Sequence, residues 1–124
     1  MKKVSIVCSL VIVGLLFNCS KKSESPTFKK SDFVGVWEEN DSKDSDGCTS
    51  IIKFDDKKFY EGEKCPSNGQ TFDSGTTYTY DNKNTINVSD IIPIKIVILS
   101  LNSTTLKIEE SYLTYKATVV YTKL

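Results

Sequence analysis

The sequence predicts an all-β fold, a small eight-stranded antiparallel up-and-down β-barrel over residues 32–124, behind an N-terminal signal peptide and a flexible tether. Short runs rich in valine, isoleucine, threonine and tyrosine recur along the chain, a composition typical of strands. Turn-forming sequences separate these runs, and nothing long and helical lies between them. Two cysteines also occupy matching positions on a predicted hairpin. Evenly spaced antiparallel strands of this kind close into a barrel or stack as a sandwich.

Residues 1–18 have the architecture of a signal peptide. Two lysines follow Met1, an almost wholly apolar run covers residues 4–17, and Cys19 comes directly after Asn18. Fourteen residues are fewer than the roughly 20 that a membrane-spanning helix needs, and they match a signal-peptide core. The sequence LFNC (16–19) resembles the lipobox of bacterial lipoproteins, which implies that the Cys19 thiol receives a diacylglycerol and that the chain is cut just before it. The alternative is a buried free cysteine behind an ordinary signal.

Residues 19–31 are predicted to form the flexible tether. The segment contains one large apolar residue, Phe28, so it buries too little surface to offset the entropy lost on ordering. With Cys19 lipidated, this tether would join the folded domain to a membrane. An aspartate directly after the lipidated cysteine would resemble the retention signal of inner-membrane lipoproteins. This chain has Ser20 at that position, so the expected location is the outer membrane of the cell envelope. The periplasmic and exterior sides are both left open.

The predicted strands follow in order along the domain. They are FVGVWEE (33–39), the two strands of a hairpin between Cys48 and Cys65, GTTYTY (75–80), TINVSD (85–90), IKIVILSL (94–101), TLKIEESYL (105–113) and YKATVVYTKL (115–124). With the hairpin counted as two, they number eight. A single helical turn is expected at FKKSDF (28–33), before Trp37.

The two cysteines of the hairpin are predicted to form a disulfide. If Phe54 faces Phe59 across a four-residue turn, a common hairpin length, opposed residues keep a constant sum of numbers, which places Cys48 opposite Cys65. Directly opposed residues lie about 4.5–5.5 Å apart at Cα, within reach of a disulfide. An exported domain is where disulfides persist, and closing this loop is worth about 3 kcal/mol. The alternative is two reduced cysteines in the core.

This register does not show which face of the hairpin points into the barrel and which points outward. One face carries Ser50, Ile52, Glu61 and Glu63, and the other carries Ile51, Lys53, Tyr60, Gly62 and Lys64. Neither face is wholly apolar, and a bulge near Gly62 would reset the alternation.

The position of the tryptophan distinguishes a barrel from a sandwich. An immunoglobulin sandwich has its tryptophan between its two cysteines, whereas Trp37 precedes both, which favours the barrel.

The composition limits the function. Sixteen lysines and sixteen acidic residues are interspersed, without arginine or histidine. Nucleic acid binding is therefore not expected, because no basic patch is present. The chain has no imidazole to act as a general base or metal ligand. The acidic pairs 38–39 and 109–110 are adjacent on strands, so their members point to opposite faces and neither pair converges on one substrate. The prediction is a protein that is not an enzyme and has no cofactor.

The order of these segments resembles a known family. FVGVW (33–37) looks like the Gly-x-Trp signature that opens the first strand of lipocalins, and DGCTSIIKF, EKC, GTTYTY, TINV and IVILSLNSTTLKI follow it. This pattern is similar to the lipocalin-like domain of small Gram-negative envelope lipoproteins. The resemblance implies a barrel that binds a small hydrophobic ligand. Lipocalins commonly pack a late arginine across the signature tryptophan, and Lys123 is the residue expected to cover Trp37 here.

Eight strands leave an interior that side chains just fill or that holds one small ligand. The candidate residues for a ligand cavity, or alternatively for the core, are Trp37, Phe54, Phe59, Tyr78, Tyr80, Ile96, Ile98 and Tyr121. Other expected interior residues are Ile86, Val88, Leu106, Ile108 and Val119. A bound ligand is expected to be apolar or amphipathic and oriented by the tyrosine hydroxyls.

One acidic stretch suggests a metal site. Asp44-Ser-Asp46-Gly47 echoes the middle of an EF-hand loop, but Lys53 then stands where the bidentate glutamate belongs. A solvated turn without a metal is therefore the preferred interpretation.

Three functional hypotheses remain. The first is a membrane-anchored protein that carries a small hydrophobic ligand in the envelope. The second is a non-catalytic accessory protein with a filled barrel whose loops meet an unidentified protein partner. The third is an enzyme, which the composition disfavours.

Overall fold

The structure is a computed structural model that describes residues 24–124. The predicted signal peptide, Cys19 and the first part of the tether lie outside the described residues. The described chain contains one short helix, α1 (Lys30–Phe33), and nine strands: β1 (Gly35–Glu39), β2 (Thr49–Phe54), β3 (Lys58–Cys65), β4 (Gly69–Phe72), β5 (Thr76–Tyr80), β6 (Thr85–Val88), β7 (Ile94–Leu101), β8 (Thr105–Tyr112) and β9 (Tyr115–Lys123). In this range no helix has the length and apolar character needed to cross a membrane.

Eight of the nine strands close into an antiparallel ring. They pair in the order β1, β2, β3, β5, β6, β7, β8 and β9, and β9 pairs back to β1, where Lys123 lies opposite Trp37. The predicted eight-stranded antiparallel barrel is confirmed. The predicted helical turn before Trp37 is also present, as α1.

The ninth strand, β4, lies outside the ring and is not among the predicted strands. It pairs with the second half of β3, whereas β5 pairs with β3 at Lys58 and Phe59. Gly62 makes this pairing feasible, since a Cβ at that position would lie 2.0 Å from the carbonyl oxygen of Thr71. The sequence of β4, GQTF, carries little apolar character, so its strand conformation depends on this close approach.

β4 also explains the two faces of the cysteine hairpin. The β2–β3 register runs without interruption, so the alternative of a bulge near Gly62 is wrong. Ile52 belongs to the core inside the barrel, whereas Ile51 points to the outside and is nevertheless only 1% exposed. Ile51, Gly62 and Phe72 stand in one row across β2, β3 and β4. Because Gly62 has no side chain, the Phe72 ring lies against its backbone, and an outer apolar layer forms.

The predicted hairpin register and disulfide are both confirmed. Phe54 lies opposite Phe59, and the sulfurs of Cys48 and Cys65 are bonded, with their Cα atoms 4.2 Å apart. The bond lies just beyond the β2 end of the hairpin and ties the loop before β2 to the end of β3.

The two ends of the barrel differ. We define the closed end as the end covered by α1, where the turns 55–57, 81–84 and 102–104 also lie, and the open end as the opposite one, with the connections 40–48, 89–93 and 113–114. Phe33 of α1 is fully buried. Its ring packs edge-on against Phe54 and Tyr80, with centroids 5.3 and 5.0 Å apart. Phe28 is held beside α1 by a backbone hydrogen bond to Lys83.

Candidate functional site

Two contacts hold the Trp37 side chain at the closed end. Its indole Nε1 donates a 2.8 Å hydrogen bond to the carbonyl oxygen of Phe33, the last residue of α1. The Lys123 ammonium lies 5.2 Å from the centroid of its ring, so the prediction that Lys123 covers Trp37 is confirmed. A Cβ on Gly35 would lie 3.3 Å from Lys123 Cε, so the glycine of the Gly-x-Trp sequence leaves room for the lysine stem. This cluster fastens α1 to β1 and β9.

The residues predicted to line a cavity or form the core are packed together inside the barrel. All are buried except Tyr80, which is partly buried against the others. Phe54 is central to the aromatic residues, with ring centroids 5.1 Å from Phe59 and 5.8 Å from Tyr78. The buried core consists of Phe33, Trp37, Ile52, Phe54, Phe59, Tyr78, Ile86, Val88, Ile96, Ile98, Leu106, Ile108 and Tyr121. Of the other residues expected inside, Val119 is partly buried against this core.

Two of the tyrosine hydroxyls that were expected to orient a ligand bind the backbone instead. Tyr78 donates to the carbonyl oxygen of Asp55 at 2.6 Å, and Tyr80 donates to that of Phe28 at 2.7 Å. Burial raises the pKa of Tyr78 to about 12. Both hydroxyls therefore fix the closed end. Tyr121 alone of the three points toward the open end, where it donates to Glu110 at 3.2 Å.

The open end carries an exposed apolar surface. Ile91 and Ile92 lie in the β6–β7 connection, and Tyr112, Leu113 and Tyr115 lie in the β8–β9 hairpin. Ile91 is 98% exposed and Leu113 is 81% exposed. The rings of Tyr112 and Tyr115 stack with centroids 4.7 Å apart. We call these five residues the open-end patch.

Carboxylates from several strands meet inside this end of the barrel. Glu39 lies opposite Tyr121, and Glu110 lies opposite Ile96, so both are on the inner face. Glu61 of β3 is on the same face as Ile52, its partner in the pairing. The members of each acidic pair point to opposite faces, as predicted, so neither pair converges by itself. The carboxylates that meet, Glu39 and Glu110, come from different pairs, and this meeting was not predicted.

The electrostatics of this cluster are unfavourable for negative charge. Burial, and then the Glu61 and Glu39 charges, raise the pKa of Glu110, against the hydrogen bond from Tyr121. Burial, and then the Asp73 and Asp90 charges, raise the pKa of Glu61. Burial and the nearby Glu110 charge also raise the pKa of Tyr121. Each carboxyl is thus affected mainly by desolvation and by other carboxyls.

A groove lies between the open-end patch and these carboxylates. It has a volume of ≈ 280 Å³ and is lined by Glu61, Asp90, Ile92, Ile94 and Tyr112. Two walls are acidic and the rest are apolar, an arrangement that suits an amphipathic group carrying positive charge.

A second groove, beside the disulfide, is crossed by an ion pair. Lys64 Nζ lies 2.9 Å from Glu38 Oε2, and the Thr49 hydroxyl donates to Glu38 at 2.6 Å. The Thr49 hydrogen bond and the lysine lower the pKa of Glu38. Glu63 stands near the sulfurs of Cys48 and Cys65, but bonded sulfurs offer no thiolate to a metal.

The acidic stretch 44–47 has the geometry of a turn. Asp44 Oδ1 accepts hydrogen bonds from the backbone N–H groups of Asp46 and Cys48, both at 2.9 Å. The Asp44 carboxylate therefore caps its own loop, as the preferred interpretation expects.

Sequence reasoning missed the open end as a site. The open-end patch consists of residues in connections and at the last or first position of a strand, where strand alternation gives little guidance. The inward direction of Glu110 could have been predicted, because Glu110 continues the alternation of the buried residues Leu106 and Ile108 along β8. Its meeting with Glu61 required the ring closure of the barrel.

The resemblance to lipocalin-like envelope lipoproteins rests on the sequence motifs, and the barrel rests on the structure. No family model matches this chain, and neither a curated protein nor a solved structure matches it.

Proposed function

We propose that this chain is a non-catalytic, lipid-anchored protein of the cell envelope that binds a protein partner through the open end of a filled barrel. The observation that carries the proposal is the open-end patch. Of seven large apolar residues that are exposed in residues 24–124, five lie in this patch. Exposed apolar residues collected at one place mark interaction sites, whereas scattered ones need no explanation.

The packing of the interior supports binding at the surface. Phe33 and Trp37 are fully buried, and Ile96, Ile98 and Ile108 are equally inaccessible. Two of the tyrosine hydroxyls, on Tyr78 and Tyr80, are used by the backbone. Interior atoms that already fill the barrel would have to move before a ligand could enter.

The position of the tether supports the same function. The described chain reaches the barrel at the closed end, where Phe28 and α1 are bound. If Cys19 is lipidated, the segment from there to Phe28 spans at most about 30 Å when extended. The open-end patch lies at the other end of the barrel from this attachment, which leaves it accessible to a partner beyond the membrane surface.

The ligand carrier remains the second candidate because one observation favours it. The groove of ≈ 280 Å³ beside Ile92, Ile94 and Tyr112 is close to the lower size limit of small-molecule sites, about 300 Å³. The outer membrane is the proposed location in either case.

Site-specific photocrosslinking in living cells tests the proposal. A photoreactive residue at Ile91 or Leu113 is expected to give one discrete protein adduct, whereas Leu99, an exposed leucine on the barrel wall, serves as the matched control and gives none. Adducts at all three positions, or at none, would contradict the proposal.

Native mass spectra of the purified chain distinguish the carrier. An intact mass that decreases by a small apolar molecule after organic extraction would support the carrier and count against a filled barrel. An unchanged mass, with no uptake of added fatty acid, is the result expected for the proposed function.

A further inference from the structure

We propose that the groove between Glu61 and Asp90 receives a lysine or arginine side chain of the partner protein, and that apolar residues flanking this side chain cover the open-end patch. This inference rests on the proposed function and specifies the chemistry of the partner. It follows from the charge around the groove, the nature of its walls and the extent of the patch beyond it.

The charge around the groove is negative and has no balancing cation among the described residues. Two carboxylates, Glu61 and Asp90, line it. The charges of Asp73 and Asp90 act on Glu61, and those of Glu61 and Glu39 act on Glu110, so further carboxylates lie close behind this wall. In residues 24–124 the two ion pairs are Lys64–Glu38 and Lys116–Glu109. Both pairs use the outward members of the acidic doublets. The inward carboxylates therefore have no lysine partner in the domain, and a partner's cation would relieve their mutual repulsion.

The walls of the groove fit a long cationic side chain. Glu61 and Asp90 supply the acidic groups, while Ile92, Ile94 and Tyr112 supply apolar surface. Lysine and arginine bury an apolar stem while their charged end remains with polar groups. The Tyr112 ring adds a face that attracts a cation. An uncharged apolar side chain would bury these carboxylates without any compensation.

The extent of the patch indicates a protein segment as the occupant. Ile91, Leu113 and Tyr115 do not line the groove, yet they flank it, since Ile91 adjoins Ile92 and Tyr115 stacks on Tyr112. A single small amine would fill the groove and leave these residues exposed. The negative rim also disfavours contact with an anionic membrane surface. A peptide segment with one basic residue between apolar ones would fill the groove with the basic side chain and cover the flanking patch residues with the apolar ones.

The test uses the full chain in nanodiscs of zwitterionic lipid and a short synthetic peptide of leucine and lysine. Binding is measured by titration calorimetry, and amide chemical shifts locate the bound peptide. The double variant Glu61→Gln/Asp90→Asn is expected to weaken peptide binding about tenfold and to reduce its salt dependence. The matched control is Asp32→Asn/Asp56→Asn, which removes two exposed charges at the closed end and leaves binding unchanged.

Three results would overturn the inference. The first is equal binding by a peptide in which glutamate replaces lysine. The second is unchanged affinity in Glu61→Gln/Asp90→Asn with a normal amide spectrum. The third is binding of dodecyltrimethylammonium at the groove without binding of the peptide, which indicates a small amphiphile. With the photoreactive residue placed at Tyr115, which is also exposed in the patch, the variant Ile91→Ser/Leu113→Ser separates the two proposals. If this variant abolishes the adduct while Glu61→Gln/Asp90→Asn does not, the proposed function stands and the cationic contact fails.

Discussion

The ammonium of Lys123 lies 5.2 Å above the ring of Trp37, and the same indole donates its N–H to the last carbonyl of α1. The final strand, the first strand and the helix that closes the barrel are thus joined at one side chain. Gly35 leaves the space through which the lysine stem runs.

The first prediction separates the two contacts of Trp37. Lys123→Met is expected to lower the free energy of unfolding by about 0.5–1 kcal/mol, the size of an exposed cation–π contact, whereas Lys123→Arg retains it. Trp37→Phe is expected to cost about 2–4 kcal/mol, because it leaves a cavity and an unpaired carbonyl. Urea unfolding followed by circular dichroism measures both. Lys107→Met, on an exposed site of β8, is the control, and an equal effect there would argue against the contact.

The second prediction concerns the disulfide. It joins residues 17 apart in sequence, so Cys48→Ala/Cys65→Ala is expected to lower the free energy of unfolding by about 3 kcal/mol. The reduced wild-type chain should lose a similar amount in the same urea experiment. Reductant should not affect the variant. If oxidised and reduced wild-type chains unfold at the same urea concentration, the bond is not stabilising.

The third prediction concerns the docking of β4. Gly62→Ala places a Cβ against the Thr71 carbonyl and the Phe72 ring, so we expect a loss of about 1–3 kcal/mol. Amide exchange of residues 69–72 should become faster while that of β8 is retained. Gly69→Ala is the control: it has a positive φ of 69° but nothing within 4 Å of its Cβ, so it strains the turn without blocking the pairing. Unchanged exchange in Gly62→Ala would contradict the close approach.

The fourth prediction concerns pH. Because the folded pKa of Glu110 is raised, its ionised form destabilises the fold, and this penalty disappears as pH falls through that pKa. Glu110→Gln should therefore unfold at a higher temperature than wild type at neutral pH, and the difference should shrink on acidification. Tm measured from neutral to acidic pH checks it, with Glu109→Gln on the outer face as control. A Tm gap between Glu110→Gln and wild type that grows on acidification would contradict the assigned burial of Glu110.

Asp55 should behave in the opposite sense at lower pH. Hydrogen bonds, first from the Tyr60 hydroxyl and then from the backbone of Lys57 and Lys58, lower the pKa of its carboxyl to about 2. Its contribution is present above the ordinary pKa and is lost as pH falls toward about 2.

The fifth prediction concerns the anchor. Cys19→Ala is expected to abolish lipidation, so that the chain leaves the membrane fraction and its mass lacks the diacylglycerol. Cell fractionation and intact mass measurement check this. Ser20→Ala should leave both unchanged, and membrane association that persists in Cys19→Ala would overturn the lipoprotein hypothesis.

The cysteine hairpin shows how much of the fold follows from local sequence. Pairing Phe54 with Phe59 places Cys48 opposite Cys65, since antiparallel neighbours keep a constant sum of residue numbers, and the structure has this register. The strand composition likewise predicts the eight strands of the ring. Both results depend on contacts between residues close in sequence, which turn length and alternation are sufficient to specify.

By itself, the sequence determined the eight strands of the ring and the hairpin register, and the lipocalin resemblance indicated that Lys123 covers Trp37. Only the tertiary structure decided that β4 covers Ile51, and that Glu61 and Glu110 meet beside the open-end patch. The physical reason is that alternation shows which residues of one strand share a face, but not which distant strands become neighbours. Ring closure brings β3 and β8 to the same end of the barrel, and their carboxylates interact only then.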